Sequence, residues 1–351
     1  MGSILSALTK KTRNMKSVFV RPWQNKAVMG SHVETYKELC NLVERMKKSE
    51  WRRSDIDFEE DIRSLRNLKK QEKNILLMTA GFFLTVDSMV MDSLNNSLLK
   101  DLEGLSSKNE LLIKAIEFYN EQNRQEQVHD EFYKDMGKAL FPESYNTVLM
   151  NCHEEFIEFR RVFDFCREFQ ERKRPIGERL LAYAFIECIV FFPFFAGIIF
   201  HRFKGNIRET VAGNHWVCNE EAMHVLGHSH IYKLVGGVTE SGARKMCEEL
   251  VCLVKDMWSS RIFCSGKNDV NGFTLKMIHG YIDNLSGYML WLTGFTDNRP
   301  ETESQFRYMD YLTSYTRANF FEAKVIEYDT IRDSSYTEGF FNDCIELKMN
   351  A

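Results

Sequence analysis

Two long apolar stretches, each interrupted by a single carboxylate, limit what this chain can fold into. Leu180 to Phe200 reads LLAYAFIECIVFFPFFAGIIF, and its one charge is Glu187. Ile75 to Met91 reads ILLMTAGFFLTVDSMVM, and its one charge is Asp87. An ionised carboxylate in a dry interior is strongly unfavourable unless a cation or hydrogen-bond donors compensate it. No Lys or Arg is interleaved in either stretch, so the compensation must come from elsewhere in the fold. By length, the Leu180–Phe200 run would span a bilayer. A carboxylate near its midpoint argues against lipid, and basic residues flank both ends (Arg172, Lys173, Arg174 and Arg179; His201, Arg202 and Lys204), which removes any orientation bias. A helix buried inside a large bundle has the same composition, and that is the reading adopted.

The rest of the sequence is helical in pattern. Only five Pro occur, at positions 22, 142, 175, 193 and 300, so breakers are rare. Val33, Tyr36, Leu39, Val43 and Met46 make an amphipathic stripe that ends in Lys47 and Lys48. Further helices are expected at about 71–99, 109–140, 144–170, 178–203, 207–235, 239–263, 270–292 and 302–330. Strand-like alternation is nearly absent, and no repeat of solenoid length is found. The expectation is a single all-α domain over 31–332, between a flexible basic tail at 1–30 and a flexible C-terminal tail at 333–351. Composition excludes other classes. The net charge is −4, from 46 basic and 50 acidic residues, which gives no footprint for nucleic acid. Nine Cys without a C-x-x-C pair suggest neither a zinc site nor a disulfide framework, so a reducing, cytoplasmic setting is expected. MGSILS followed by Lys10, Lys11, Arg13 and Lys16 matches a permissive myristoylation pattern, read here as a basic tail.

Two E-x-x-H pairs occur, Glu126/His129 and Glu221/His224. Spacing of three residues stacks both side chains on one helix face, where they can grip one cation. Taken alone such pairs arise by chance in a Glu-rich chain, and a core histidine or a capping carboxylate would explain any one of them. The lone Asp87 and Glu187 change the balance. Four carboxylates carry about four negative charges, which two divalent ions would cancel, with one imidazole for each ion. Oxygen-rich ligation with one His per metal suits iron or manganese better than structural zinc. A carboxylate from each of two helices and Glu-x-x-His from each of two others is the ligand arrangement of ferritin-like di-metal carboxylate bundles. The fold class expected is therefore an all-α, ferritin-like helical bundle with additional helices. Tyr133 follows His129 by one turn, hence beside the expected metals, as a core phenol or a redox-active one. Phe191 and Phe195 share the Glu187 face, and Val217 precedes Glu221 by one turn.

At this point the chain resembles the small subunit of class I ribonucleotide reductase, from about Ser49 to Thr330. The resemblance rests on FFLTVDSMV around Asp87, QEQVHDEFY with Glu126, His129 and Tyr133, ERLLAYAFIECIVFF with Glu187, EEAMH with Glu221 and His224, and TRANFFEAKVIEY at 316–328. It implies a homodimeric, radical-generating subunit holding two iron ions per chain, or manganese. Dioxygen would be used to oxidise Tyr133 to a stable radical. A separate large subunit would use that radical to reduce ribonucleoside diphosphates to deoxyribonucleotides. Trp51 matches the family's Trp on the radical-transfer route. Tyr328, or Tyr336, would carry the route towards the partner, and the tail from about Asp333 would dock there.

Three departures stand out. Glu220 replaces the family's Asp between Trp51 and His129. Pro193 lies inside the Glu187 helix, where it should kink or bulge the chain. The terminus ELKMNA lacks the acidic, aromatic-ending tail of the family, leaving Phe340, Phe341, Ile345 and Leu347 as docking groups. Two other functions remain open on the same residues: a di-metal oxidase or desaturase acting on its own substrate, and a non-catalytic structural or iron-storing bundle.

Overall fold

The computed structural model describes residues 29–103, 110–297, 299–300, 306 and 308–309. The basic N-terminal tail, the helix expected at 302–330, Tyr328, Tyr336 and the docking tail lie outside these residues, apart from three positions near 306–309.

The principal helices are α1 (Met29–Lys48), α2 (Lys70–Ser93), α3 (Glu110–Leu140), α4 (Ile157–Gln170), α5 (Ile176–Phe185), α6 (Arg208–Val235), α7 (Glu240–Asp256) and α8 (Leu275–Leu292). Among the described residues the only β pairing is an isolated bridge between Val270 and Phe273. Helix α2 continues through a π turn (Leu94–Leu98) to Glu103. Helix α5 continues through a π turn (Ile186–Phe191) into Phe192–Ile199. Pro193 offers no N–H to the preceding turn, and the wide turn lies directly upstream of it, so the expected distortion takes the form of a π bulge that carries Glu187.

Four helices enclose the centre. α2 packs on α3, α5 on α6, α3 on α6, and the Phe192–Ile199 extension of α5 back on α2. α1 lies across α3 and α6 through its Leu39, Leu42, Val43 and Met46 face. Every residue from Leu180 to Phe200 is buried inside the chain, so both long apolar helices are accounted for as core. Each fully buried Leu or Phe contributes roughly 1.5–3 kcal/mol, and the density of rings here is high. Phe82 stacks on Phe194 at 4.3 Å, and Phe194 tilts on Trp258 at 4.9 Å.

Glycines set the register between α3 and α6. A Cβ on Gly213 would sit 2.4 Å from the Phe132 ring, and one on Gly227 would sit 2.0 Å from the Phe118 ring. The two glycines and the two phenylalanines are each about four turns apart, and the lower-numbered glycine faces the higher-numbered ring. The helices therefore run antiparallel, which brings the Glu126/His129 face opposite the Glu221/His224 face. The start of α6 is anchored by Asp61, whose carboxylate accepts from the backbone N–H groups of Glu209 (3.2 Å) and Thr210 (2.6 Å) and from the Thr210 hydroxyl (2.7 Å).

One expected helix is broken. Instead of running from 144 to 170, the chain forms a π turn (Tyr145–Leu149), a short helix (Cys152–Glu155) and an extended Phe156 before α4. The break turns Cys152 inward, where its thiol donates to the Gly81 carbonyl at 2.8 Å. The eight cysteines among the described residues are all free.

Two outcomes are expected from this architecture. Gly227→Ala should push Phe118 away and lower unfolding stability by about 1–3 kcal/mol, read as a reduced urea midpoint at unchanged slope. Burial pushes the Asp61 carboxyl up to about 6 despite its hydrogen bonds. The folded state thus holds this proton more tightly than the unfolded chain, so the Asp61 contribution to stability is present at low pH and is lost as pH rises through about 6. Stability measured between pH 4 and 7 should fall more steeply with pH in the wild type than in Asp61→Asn.

Candidate metal centre

Six side chains singled out by spacing lie in the interior of the bundle: Asp87 from α2, Glu126 and His129 from α3, Glu187 from the π turn after α5, and Glu221 and His224 from α6. All are buried, none more than 1% exposed. Glu126, Glu187, Glu221 and His224 bring donor atoms within 4.8 Å of one another. His129 joins them through Glu126 and Glu221.

The two central carboxylates each serve both imidazoles. Glu126 places Oε2 3.3 Å from His129 Nδ1 and Oε1 3.4 Å from His224 Nδ1. Glu221 places Oε1 3.1 Å from His129 Nδ1 and Oε2 3.1 Å from His224 Nδ1. Each imidazole turns Nδ1 inward and commits Nε2 outward, His129 to Glu220 Oε2 (2.8 Å) and His224 to Gln125 Oε1 (2.9 Å). Metal-ligating histidines show this division of labour, because the outer bond fixes the tautomer and the ring plane. Asp87 is not among the converging donors; the neighbouring charges acting on it are led by Glu126 and His129, and those acting on Glu187 by Glu221 and His224.

The electrostatics are those of a site short of positive charge. Burial and then Glu126 push the Asp87 carboxyl well above the carboxylate range, while burial and then Glu221 do the same to Glu187. Burial also pushes Glu126 up, but the His129 and His224 imidazoles beside it outweigh this and hold it low. Burial disfavours the charged form of both histidines, yet the surrounding carboxylates raise His129 well above its ordinary value and His224 to about 10. The ion partners of Glu126, Glu187 and Glu221 among the described residues are imidazoles, not Lys or Arg. Asp87 Oδ2 and Glu187 Oε2 are buried and make no hydrogen bond. Unsatisfied carboxylate oxygens, inward Nδ1 atoms and an excess of negative charge all fit a pair of divalent cations.

Around this centre the structure adds groups that spacing did not single out. Gln122 Nε2 donates to Glu187 Oε1 (2.6 Å) and lies 3.1 Å from Glu126 Oε1. Gln125, Gln122 and His228 sit one residue or one turn from ligands, so the helical period contained their signal, although nothing in the sequence gave their partners across the bundle. Glu220 is fully engaged: Oε1 accepts from Ser49 Oγ (2.8 Å) and Gln125 Nε2 (3.1 Å), and Oε2 accepts from Trp51 Nε1 (2.9 Å) and meets His129. The extra methylene relative to Asp is thus accommodated, and the Trp51–Glu220–His129 connection is continuous. Tyr133 is buried, and its hydroxyl donates to Asn214 Oδ1 at 3.0 Å. Its ring stacks on Phe83 at 4.4 Å, Phe195 stacks on the same Phe83 at 5.0 Å, and Phe191 meets it edge-on at 5.6 Å. The π turn at Ile186–Phe191 replaces the regular helical register on which the expected shared face of Phe191 and Phe195 with Glu187 rests. Val217 is buried one turn before Glu221.

An all-helical bundle with two Glu-x-x-His helices facing two single carboxylates defines a ferritin-like di-metal carboxylate protein. The family description "Ribonucleotide reductase, small chain" matches residues 33–296. This chain belongs to that family. It is 23% identical over 321 residues to the ribonucleoside-diphosphate reductase small chain of African swine fever virus, covering 88% of this chain and 93% of the viral one. Its fold matches the ribonucleotide reductase Rnr4 homodimer of Saccharomyces cerevisiae (TM-score 0.63, 18% identity, 90% of this chain and 99% of that one). It also matches the dimanganese(II)-NrdF of Streptococcus sanguinis (TM-score 0.62, 14% identity, 78% and 94%).

A cation pair that binds only the folded centre should stabilise the chain by about 2.7 kcal/mol per site at a free ion concentration 100 times Kd. Thermal unfolding with added Fe²⁺ (anaerobically) or Mn²⁺ should show this gain, chelation should reverse it, and Glu126→Ala should abolish it.

Proposed function

We propose that this chain is the radical-generating small subunit of a ribonucleoside-diphosphate reductase, with Asp87, Glu126, His129, Glu187, Glu221 and His224 holding two iron ions, or manganese, and Tyr133 as the oxidised residue. The observation that carries this reading is the convergence at Glu126 and Glu221, each of which offers one oxygen to each imidazole. When bound, the metal pair supplies the oxidising equivalents, drawn from dioxygen.

The chain's own residues then have separable tasks. Tyr133 would give up one electron to the metal pair and its phenolic proton to the carboxylate cluster, in which Asp87 is the charge that acts on it most. Asn214 Oδ1, a neutral acceptor, orients the O–H without competing as a base. Phe83, Phe191 and Phe195 keep water from the ring. Burial and the Asp87 carboxyl hold the Tyr133 phenol well above its usual pKa, so the resting group is the neutral phenol. Trp51, stacked over His129 at a 23° interplanar angle and tied to Glu220, provides the outward route. Tyr328 continues it in this proposal, and residues 333–351 dock a large subunit that holds the nucleotide. The working unit is a homodimer in the cytoplasm. Phe82, Phe83, Phe191 and Phe194 pack against one another as a continuous aromatic cluster that includes the ring stacked on Tyr133, which favours the radical-generating reading.

Electron paramagnetic resonance after anaerobic loading with Fe²⁺ and exposure to oxygen should show a tyrosyl signal that is absent in Tyr133→Phe. Trp51→Phe should retain that signal while losing nucleotide reduction with a large subunit. A metal-loaded wild type without any tyrosyl signal would sink the proposal.

A further inference from the structure

Two hydrogen-bonded chains lead outward from the centre and end on an aromatic donor. One is Trp51–Glu220–His129, already placed. The other leaves from Glu187. His228 Nε2 lies 3.2 Å from Glu187 Oε1, and the Tyr119 hydroxyl lies 3.2 Å from His228 Nδ1. All three side chains are buried, with 0% exposure.

The direction of these bonds follows from the donors available. With cations in the site Glu187 is ionised and only accepts, so His228 then carries its proton on Nε2 and donates it to Glu187. Nδ1 is then an acceptor, and Tyr119 must donate to it. The imidazole plane is fixed as well. Tyr183 lies flat on it at 5.2 Å with a 4° interplanar angle, and Phe118 meets it edge-on at 5.4 Å. Tyr183 is itself held by Ser93 Oγ at 2.5 Å, so a residue at the end of α2 clamps the ring.

Glu187 needs such external support because it lies in the Ile186–Phe191 π turn, not in regular helix. Its Oε1 receives two donors, Gln122 Nε2 at 2.6 Å and His228 Nε2 at 3.2 Å. Its Oε2, although also 3.2 Å from His228 Nε2, makes no hydrogen bond. Gln122 therefore holds Oε1, while His228 faces both oxygens of the carboxylate.

We propose that Tyr119 and His228 are positioning residues that fix the orientation of the Glu187 carboxylate, and thereby set the affinity of the metal ion on the His224 side independently of the ion on the His129 side. This rests on the di-metal reading above and adds to it a division between the two ions. Outer partners of metal ligands typically alter affinity by 10–100-fold. Loss of His228 should weaken one ion of the pair by about that factor and leave the other unchanged, so that the two-ion site behaves as one tight and one weak site.

The test is a Mn²⁺ titration of the full-length protein, with free Mn²⁺ counted by electron paramagnetic resonance. His228→Leu should bind one ion as tightly as the wild type and the second about 10–100-fold more weakly. His228→Gln, whose amide can present an N–H near the Nε2 position, should restore most of the second affinity. Tyr119→Phe, which deletes one oxygen and keeps the packing, should give a smaller loss confined to the same ion. A purely packing role would leave His228→Gln no better than His228→Leu, and that result, or unchanged affinities in both, would overturn the inference. Should His228→Leu fail to fold, the comparison of Tyr119→Phe with wild type decides: equal affinity for both ions overturns it. A wild type that binds no Mn²⁺ or Fe²⁺ would instead defeat the di-metal reading itself.

Discussion

Four carboxylates and two imidazoles share a volume from which water is excluded, and the molecule is arranged around that electrostatic imbalance. Isolated charges of this kind are unfavourable in a core. Glu126 and Glu221 answer the problem together, because each reaches both imidazoles and neither belongs to one end of the site alone. That reach requires α3 and α6 to approach closely, and Gly213 and Gly227 permit it by leaving room for Phe132 and Phe118. The glycines are thus as much part of the site as the ligands. They set the antiparallel register in which two Glu-x-x-His faces meet.

Satisfied polar networks in a low-dielectric interior hold their members rigidly, and a buried polar atom without a partner calls for an explanation such as a bound ion. Both situations occur within a few ångströms here. Glu220 has both oxygens occupied, by Ser49, Gln125, Trp51 and His129. Asp87 Oδ2 and Glu187 Oε2 have none. The saturated Glu220 lies between Trp51 and His129, and the unsatisfied oxygens belong to two of the four buried carboxylates, which suits a frame built to receive cations. The same frame separates two aromatic residues: Tyr133 is enclosed by Phe83 and its neighbours, whereas Trp51 lies at the outer end of a continuous hydrogen-bonded connection.

Much of this was legible because helices have a fixed period. A lone carboxylate in an apolar run and Glu-x-x-His pairs declare a helix face, and helix faces can be counted along a chain. What the period cannot supply is the partner across the bundle. Gln122, Gln125 and His228 lie near ligands in sequence, but their contacts to Glu187, Glu220 and His224 depend on how neighbouring helices slide against one another. Glu220 is a case of the same kind: one methylene matters only relative to where Trp51 and His129 end up. Local propensity also missed the break at Phe156, where a tertiary bond from Cys152 to the Gly81 carbonyl competes with a continuous helix.

Pro193 shows how a local signal and a distant contact combine. The sequence announces a distortion without its form, and the structure resolves it as a π turn that holds Glu187. A π turn frees a ligand from the regular helical ladder and gives it latitude that Glu126 and Glu221, on unbroken helices, do not have. Latitude without restraint would leave the carboxylate pointing in several directions, and in this chain the restraint is supplied from outside the turn, by Gln122 on α3 and His228 on α6. Among the four buried carboxylates, Glu187 is therefore the one whose direction depends most on side chains rather than on its own backbone. That dependence makes its end of the centre the adjustable one, while the His129 end is fixed through Glu220, Ser49 and Trp51 to the segment that follows α1.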